Sequence, residues 1–341
     1  MAKQATGEIP AVDKAPAGSG TPNPVARIAY ALWRRREASI AIIVVLLLFY
    51  FQSSNDAFLS KGNIQTLTQS AYAIAIIAAG LVMLLICGEI DLSVGTVFGT
   101  APIVVYLADQ EFALPVAILI GLVAAAVVGF INGFVTVYLR VPSFITTLGT
   151  FFFLSGLNVT LTDGFPKPAP EDSALTDVLG GTPFSGIIWA VIVVFLMHML
   201  LTRMRWGLPT YAVGGNLLGA SEAGVPVNRI KIGNFMLCSM LGGFAGIMEA
   251  IRISSVDPLA GGTVHMFFAV AAAVIGGTAL AGGSGTVIGA FLGTAFLFIL
   301  RNGFTIQGVS ANTYNVILGI SILVAMTLNV YVGRLRRSGR T

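Results

Sequence analysis

Long apolar stretches separated by short polar or glycine-rich breaks recur along the chain, at 35–52, 67–87, 94–108, 113–139, 143–161, 184–202, 232–251, 266–281, 287–301 and 314–332. A helix needs about 20 mostly apolar residues to cross the hydrocarbon core of a bilayer, and most of these stretches approach that length. The pattern predicts an all-α fold, a polytopic membrane helix bundle of about ten transmembrane helices. An even number of crossings puts both termini on one side, expected to be the cytoplasmic one. The third and eighth stretches are short, which predicts broken or re-entrant segments. Residues 1–33 lead in with a region rich in Ala, Pro, Gly, Ser and Thr and are expected to form a disordered cytoplasmic tail. Within the first stretch the apolar run starts only near Ala38, after Arg34-Arg35-Arg36, and no small-residue cleavage site follows Phe51, so it is expected to stay as an anchor. The membrane domain is expected over 34–332 and a basic cytoplasmic tail over 333–341. Two connections are long. One, 162–183, is expected outside and carries Glu171, Asp172, Asp177 and four prolines; the other, 203–231, is expected inside and is basic.

Composition removes the soluble alternatives. Hydrophobic residues make up 56% of the chain and charged residues 10%, with mean hydropathy +0.88; ordinary globular domains carry roughly 25% charged residues. A pI near 9.2 would suit a nucleic-acid binder, but the net charge is only +4 and the basic residues are not clustered around aromatics. The basic excess reads as topology instead. With the N-terminus inside, fifteen of the nineteen Lys and Arg residues fall on inner segments, and only Lys61, Lys167, Arg252 and Arg301 fall outside. Cys87 and Cys238 sit in apolar stretches as small buried hydrophobes, and with only His198 and His265 no histidine metal centre is expected.

Polar interruptions of the apolar pattern supply the candidate chemistry. Gly88-Glu89-Ile90-Asp91-Leu92-Ser93-Val94-Gly95 places two carboxylates between apolar stretches. Ionisable groups at that depth are costly and mark a polar pathway or a helix break. The motif reads either as pathway lining, with Asp91, Ser93, Glu89 and also Asn158 as candidates, or as a turn in which Asp91 or Ser93 caps the next helix. Gly276-Gly277-Thr278-Ala279-Leu280-Ala281-Gly282-Gly283-Ser284-Gly285 is expected to be a glycine-rich interhelical break. The chain has no G-x-x-x-x-G-K-[ST] phosphate loop, so no ATP hydrolysis and no catalytic residues are expected of it. Within 203–231, residues 216–223 can form one or two helical turns before Gly224-Val225-Pro226. That segment reads either as a partner-docking element or as a solvated loop. At the outer face Glu249 and Arg252 stand at i,i+3 and can pair; together with Arg301 they are candidates for contact with an external protein. The forty glycines are expected to serve mainly close helix packing.

In this order the motifs resemble the ribose-type sugar permeases of ATP-binding-cassette importers, within the wider superfamily that includes branched-chain amino acid permeases. The matching pieces are Ile90-Asp91-Leu92-Ser93-Val94-Gly95, Gly214-Gly215-Asn216, Gly224-Val225-Pro226-Val227-Asn228 with Lys231, Pro258 with the glycines after it, and Gly276-Gly277-Thr278 through Gly285. The resemblance spans about residues 40–330. It implies a multi-pass permease subunit of the bacterial inner membrane, paired as a homodimer or with a similar subunit. It also implies a monosaccharide delivered by an external solute-binding protein and transport driven by separate cytoplasmic ATPase subunits. Those partners would bind the ATP, so no cofactor is expected here, and membrane lipid rather than nucleic acid is the surrounding partner. By the same resemblance the coupling segment seated on the ATPase holds Asn216, Ala220, Ser221, Glu222, Gly224, Val225, Asn228 and Lys231. This chain departs from many ribose-type members in having Glu89 in place of Gly and His265 in place of an acidic residue. A permease for a nucleoside or branched-chain amino acid, or an ion-coupled secondary transporter, is the alternative expectation.

Overall fold

The computed structural model describes residues 36–171 and 173–338. The expected tail at 1–33 lies outside the described residues. Of the expected tail at 333–341, the backbone continues the last helix to Ser338, and its side chains and residues 339–341 lie outside the described set. The long helices are α1 (Arg36–Ser54), α2 (Lys61–Ile86), α3 (Val94–Asp109), α4 (Leu114–Tyr138) and α5 (Ser143–Thr162). After them come a two-residue strand β1 (Lys167–Pro168), a single turn α6 (Ser173–Thr176) that runs into a π-helical turn (Asp177–Gly181), and α7 (Ser185–Thr202). The chain continues through α8 (Gly207–Gly215), α9 (Leu217–Glu222), α10 (Val227–Ile253), β2 (Ser255–Val256), α11 (Gly262–Ile275), α12 (Val287–Ile306) and α13 (Ala311–Ser338).

Among the described residues, seven helices are long and apolar enough to cross a membrane: α1, α2, α4, α5, α7, α10 and α12. Shorter apolar helices, α3, α11 and residues 312–324 of α13, stand where three of the other expected spans lie. The expected span 266–281 is cut short. Its helix stops at Ile275 because the chain then turns through Gly277, Gly282 and Gly283, all at positive φ. With 16 and 14 residues, α3 and α11 are about 24 and 21 Å long at 1.5 Å per residue, less than a bilayer's hydrocarbon thickness of about 30 Å. Each is preceded or followed by non-helical backbone. Irregular backbone at membrane depth must be enclosed by protein to satisfy its polar groups; the break before α3 is buried from Asp91 to Ser93, whereas the one after α11 leaves Leu280 and Ala281 exposed.

At the centre stands α2. Every residue from Ala71 to Ile86 is buried, as a helix apolar on all sides requires. Packed around it are α10, α7, α12 and α11. In contrast α1, α4 and α5 leave much of their apolar surface open, with Phe49, Leu119, Phe152 and Phe153 all exposed. An outward stripe of large apolar side chains on a charge-poor helix is a lipid-facing surface.

Glycine sets the spacing between α3, α4 and α10. Gly129 lies directly against the Phe235 and Met236 backbone, and Gly246 lies against the Phe98 backbone, so neither site has room for a Cβ. Such contacts let helices associate where lipid gives no hydrophobic drive. At one end of the bundle β1 pairs antiparallel with β2, Lys167 opposite Val256 and Pro168 opposite Ser255. The described residues of the long 162–183 connection therefore include a paired strand and helical turns, while α8 and α9 occupy the opposite end.

Candidate functional site

The break between α2 and α3 starts with a left-handed turn. Gly88 has φ +77°, the Gly88 N–H bonds the Leu85 carbonyl and the Glu89 N–H reaches the Leu84 carbonyl, closing the end of α2. The chain then enters a polar hub with no exposed members. Asp91 Oδ1 accepts from the Ser93 N–H at 2.8 Å and from the Ser93 hydroxyl at 2.6 Å, and Oδ2 accepts from the Ser239 hydroxyl of α10 at 3.2 Å. The Asn132 amide of α4 donates to Ser93 Oγ at 2.8 Å, and the Thr150 hydroxyl of α5 donates to Asn132 Oδ1 at 2.6 Å. One residue earlier, the Ile90 N–H donates to Ser143 Oγ at the start of α5. Five helices thus meet on one short segment.

This geometry qualifies the capping alternative. Asp91 holds the N–H of Ser93 immediately before α3, whereas the Ser93 side chain makes no capping bond and instead links Asp91 to Asn132. Both residues are fully enclosed. Glu89 lies at the edge of the break and forms an ion pair with Lys231 of α10. Asn158 lies further along α5. Its amide donates to the Thr96 carbonyl at 3.5 Å beside Gly99, and its buried Oδ1 has no hydrogen-bond partner. Glu89, Asp91 and Ser93 are therefore one cluster, and Asn158 is a separate position on the same seam between α3 and α5.

A second assembly lies where α8 and α9 meet the bundle. Asn216 caps α9 by accepting from the Gly219 N–H at 2.9 Å, and Gly224 at φ +79° ends that helix. Ala220 points inward, buried with Cys87, Val213 and Ile230. Lys231 is likewise turned into the protein by Glu89. Ala220 is thus internal and Lys231 is half-buried against Glu89, while Asn216, Ser221, Glu222, Gly224 and Asn228 remain exposed and Val225 is half-buried. Two leucines, Leu217 and Leu218, are exposed beside them, an apolar surface on a solvent-facing helix.

Beneath α9, Asn234 of α10 joins three elements. It accepts from the Trp206 indole N–H at 2.7 Å and donates toward Cys87 Sγ at 2.9 Å and Thr210 Oγ1 at 3.4 Å. Alongside, the Gly283 N–H bonds the Ile86 carbonyl at 2.8 Å, and the Tyr211 hydroxyl donates to the Gly285 carbonyl at 2.7 Å. Gly214 lies against Ile86 and Gly283 too closely for any side chain. The three glycine-rich motifs, far apart in sequence, form one joint.

At the other end Arg252 grips Glu249 through two bonds, of 2.9 and 2.6 Å, and the Tyr72 hydroxyl donates to Glu249 Oε2 at 2.7 Å. Arg301 stands apart from that grip, over the Phe268 ring at 5.9 Å.

Motif reading missed Asn132, Thr150, Ser239, Asn234, Trp206 and Tyr72. Asn132 and Asn234 carried a signal, since each is an amide inside an apolar stretch and needs an internal partner there. Which hydroxyls supply the other partners depends on how the helices are rotated.

A family model described as "branched-chain amino acid transport system / permease component" matches residues 63–326. The chain is 37% identical to the xylose/arabinose import permease protein of Sulfolobus acidocaldarius, over 88% of this chain and 86% of that one. It is 34% identical to the ribose import permease protein of Escherichia coli, over 80% and 87%. It is 33% identical to an autoinducer 2 import system permease protein of Photorhabdus luminescens, over 80% and 83%. No solved structure matches.

Proposed function

The chain belongs to the branched-chain amino acid transport system / permease component family, and from that premise we propose that it passes a monosaccharide into the cell as the membrane subunit of an ATP-binding-cassette importer. It is a multi-pass membrane protein and a transport subunit rather than a catalytic enzyme. The observation that carries the reading is the similarity over most of the chain to permeases named for xylose/arabinose and ribose import. A pentose is accordingly the first solute to test.

Finer parts of the reading rest on supporting observations. Seven long helices and three shorter apolar ones agree with ten membrane segments, and the positive-inside bias favours cytoplasmic termini. That topology puts α8 and α9 on the cytoplasmic side of a bacterial inner membrane and β1 and β2 outside. Exposed Leu217, Leu218, Ser221 and Glu222 on a short projecting helix suit the groove of a separate ATPase subunit, which binds and hydrolyses the ATP. The β1–β2 end with Glu249 and Arg252 faces the solute-binding protein, and a second permease subunit completes the pathway.

Co-expression with the ATPase and binding protein of the same system, reconstitution into vesicles and uptake of labelled xylose and ribose test the proposal. ATP-dependent uptake of either is expected. Glu222→Arg, on the exposed face of α9, should leave the protein folded and cut uptake about tenfold or more, as a reversed charge at a docking contact does. Uptake that needs only an ion gradient would refute the reading.

A further inference from the structure

We infer that the Glu89–Lys231 ion pair is the link through which displacement of α9 reaches the break between α2 and α3. The inference rests on the reading above that α9 receives force from a partner, and it names the residues that carry the force inward.

The route is short at every step. Between the end of α9 at Glu222 and the start of α10 at Val227 lie only residues 223–226. That connection is stiff. Val225 N–H bonds the Ala220 carbonyl, Val227 N–H bonds the Val225 carbonyl, and Pro226 fixes its own φ. Movement of α9 therefore moves the foot of α10, where Lys231 stands one turn in. Lys231 meets Glu89, which directly follows the left-handed turn at Gly88.

The same break is held to α10 at a second point, two helical turns further on, by Ser239 and Asp91. The two ties differ in kind. Asp91 is enclosed, and its partners are fixed hydroxyls and a backbone N–H, so separating them would strand buried polar groups. Glu89 and Lys231 keep 12% and 15% of their side-chain surface exposed, so water can replace either partner as they part. One tie is a pivot and the other is a latch. With the latch open, the break can swing about Gly88 while Asp91 keeps its register. The glycines facing it, Gly282 and Gly283, present no side chain to obstruct that swing.

A native reporter sits at the joint. Cys87, between the end of α2 and the start of the break, is 3% exposed, packed under Ala220 and bonded by Asn234. In the full chain carrying Cys238→Ser, in membrane vesicles, its rate of alkylation by N-ethylmaleimide reports opening of the joint. Glu89→Gln and Lys231→Gln should each raise that rate about fivefold, the scale of losing one partly exposed ion pair. The paired exchange Glu89→Lys with Lys231→Glu should restore slow labelling and the parent's melting temperature, which falls only slightly in the single variants. Unchanged labelling in both single variants overturns the latch. So does failure of the paired exchange to restore slow labelling, whether it folds or not. A second arm separates the latch from the importer reading: in the complex with co-expressed ATPase, ATP should accelerate Cys87 labelling in the otherwise native chain. Loss of that response while Glu89→Gln still labels fast would overturn the link to α9 and leave the local latch standing. Failure of the ATPase to associate at all would instead count against the importer reading.

Discussion

Replacing Asp91 by alanine removes the acceptor from three donors inside a fully enclosed site: the Ser93 N–H at 2.8 Å, the Ser93 hydroxyl at 2.6 Å and the Ser239 hydroxyl at 3.2 Å. The backbone donor cannot turn elsewhere, and stranding it costs about 1–3 kcal/mol. Ser239 can rotate toward a carbonyl one turn back on α10, so its loss is small. Ser93 has less freedom, because its oxygen must go on accepting from Asn132. The sum is a destabilisation of about 3 kcal/mol. Asparagine behaves differently. Its oxygen keeps both Ser93 bonds, and its amide can donate to Ser239, whose hydroxyl then acts as acceptor. Only charge assistance is lost, about 1 kcal/mol. Melting of the purified protein, followed by tryptophan fluorescence, should place Asp91→Asn just below the parent and Asp91→Ala well below both. Vesicle uptake should survive in the asparagine variant. An alanine variant as stable as the parent would refute the hub. An asparagine variant with normal melting and no uptake would show that the charge itself serves the solute path.

Two further substitutions test the packing. Gly246→Val would drive a branched side chain into the Phe98 backbone and should destabilise by at least about 1–3 kcal/mol, read as loss of monodisperse protein in size-exclusion chromatography; a normal elution profile would contradict the close approach of α10 to α3. Tyr72→Phe removes one bond to Glu249 while the two from Arg252 remain, so a loss of about 1 kcal/mol in thermal stability is expected, and a larger loss would mean that Tyr72 holds more than this carboxylate.

Much of the architecture is legible in the sequence. The predicted apolar stretch at 113–139 matches α4, and that at 143–161 matches α5, each within a residue or so. Long runs of apolar side chains in lipid leave the backbone no option but a helix, because every N–H must find its carbonyl within the segment. The short eighth stretch is broken, because Gly277, Gly282 and Gly283 release the chain from helical φ. The Glu249–Arg252 pair was likewise legible, because i,i+3 spacing fixes two side chains on one helix face whatever surrounds them.

The partners of the breaks were not legible. Nothing in the order of residues says that Gly88, Gly214 and Gly283 share one joint, or that Lys231 turns inward to Glu89 while Glu222, nine residues before it, stays in solvent. In sequence Ala220 is as eligible for a partner surface as its neighbours, and only the packing of α9 on Cys87 and Ile230 turns it inward. Hydropathy and local spacing act within a segment and set its conformation. Which face of each helix meets which neighbour depends on the rotation and depth of all the helices packed together, and on those close approaches that only a missing Cβ allows. The chain alone therefore determined a membrane bundle, its breaks and its polar interruptions. The tertiary packing decided that Asp91 is a hub, that Glu89 is tied to the foot of α10, and which side of α9 is left open.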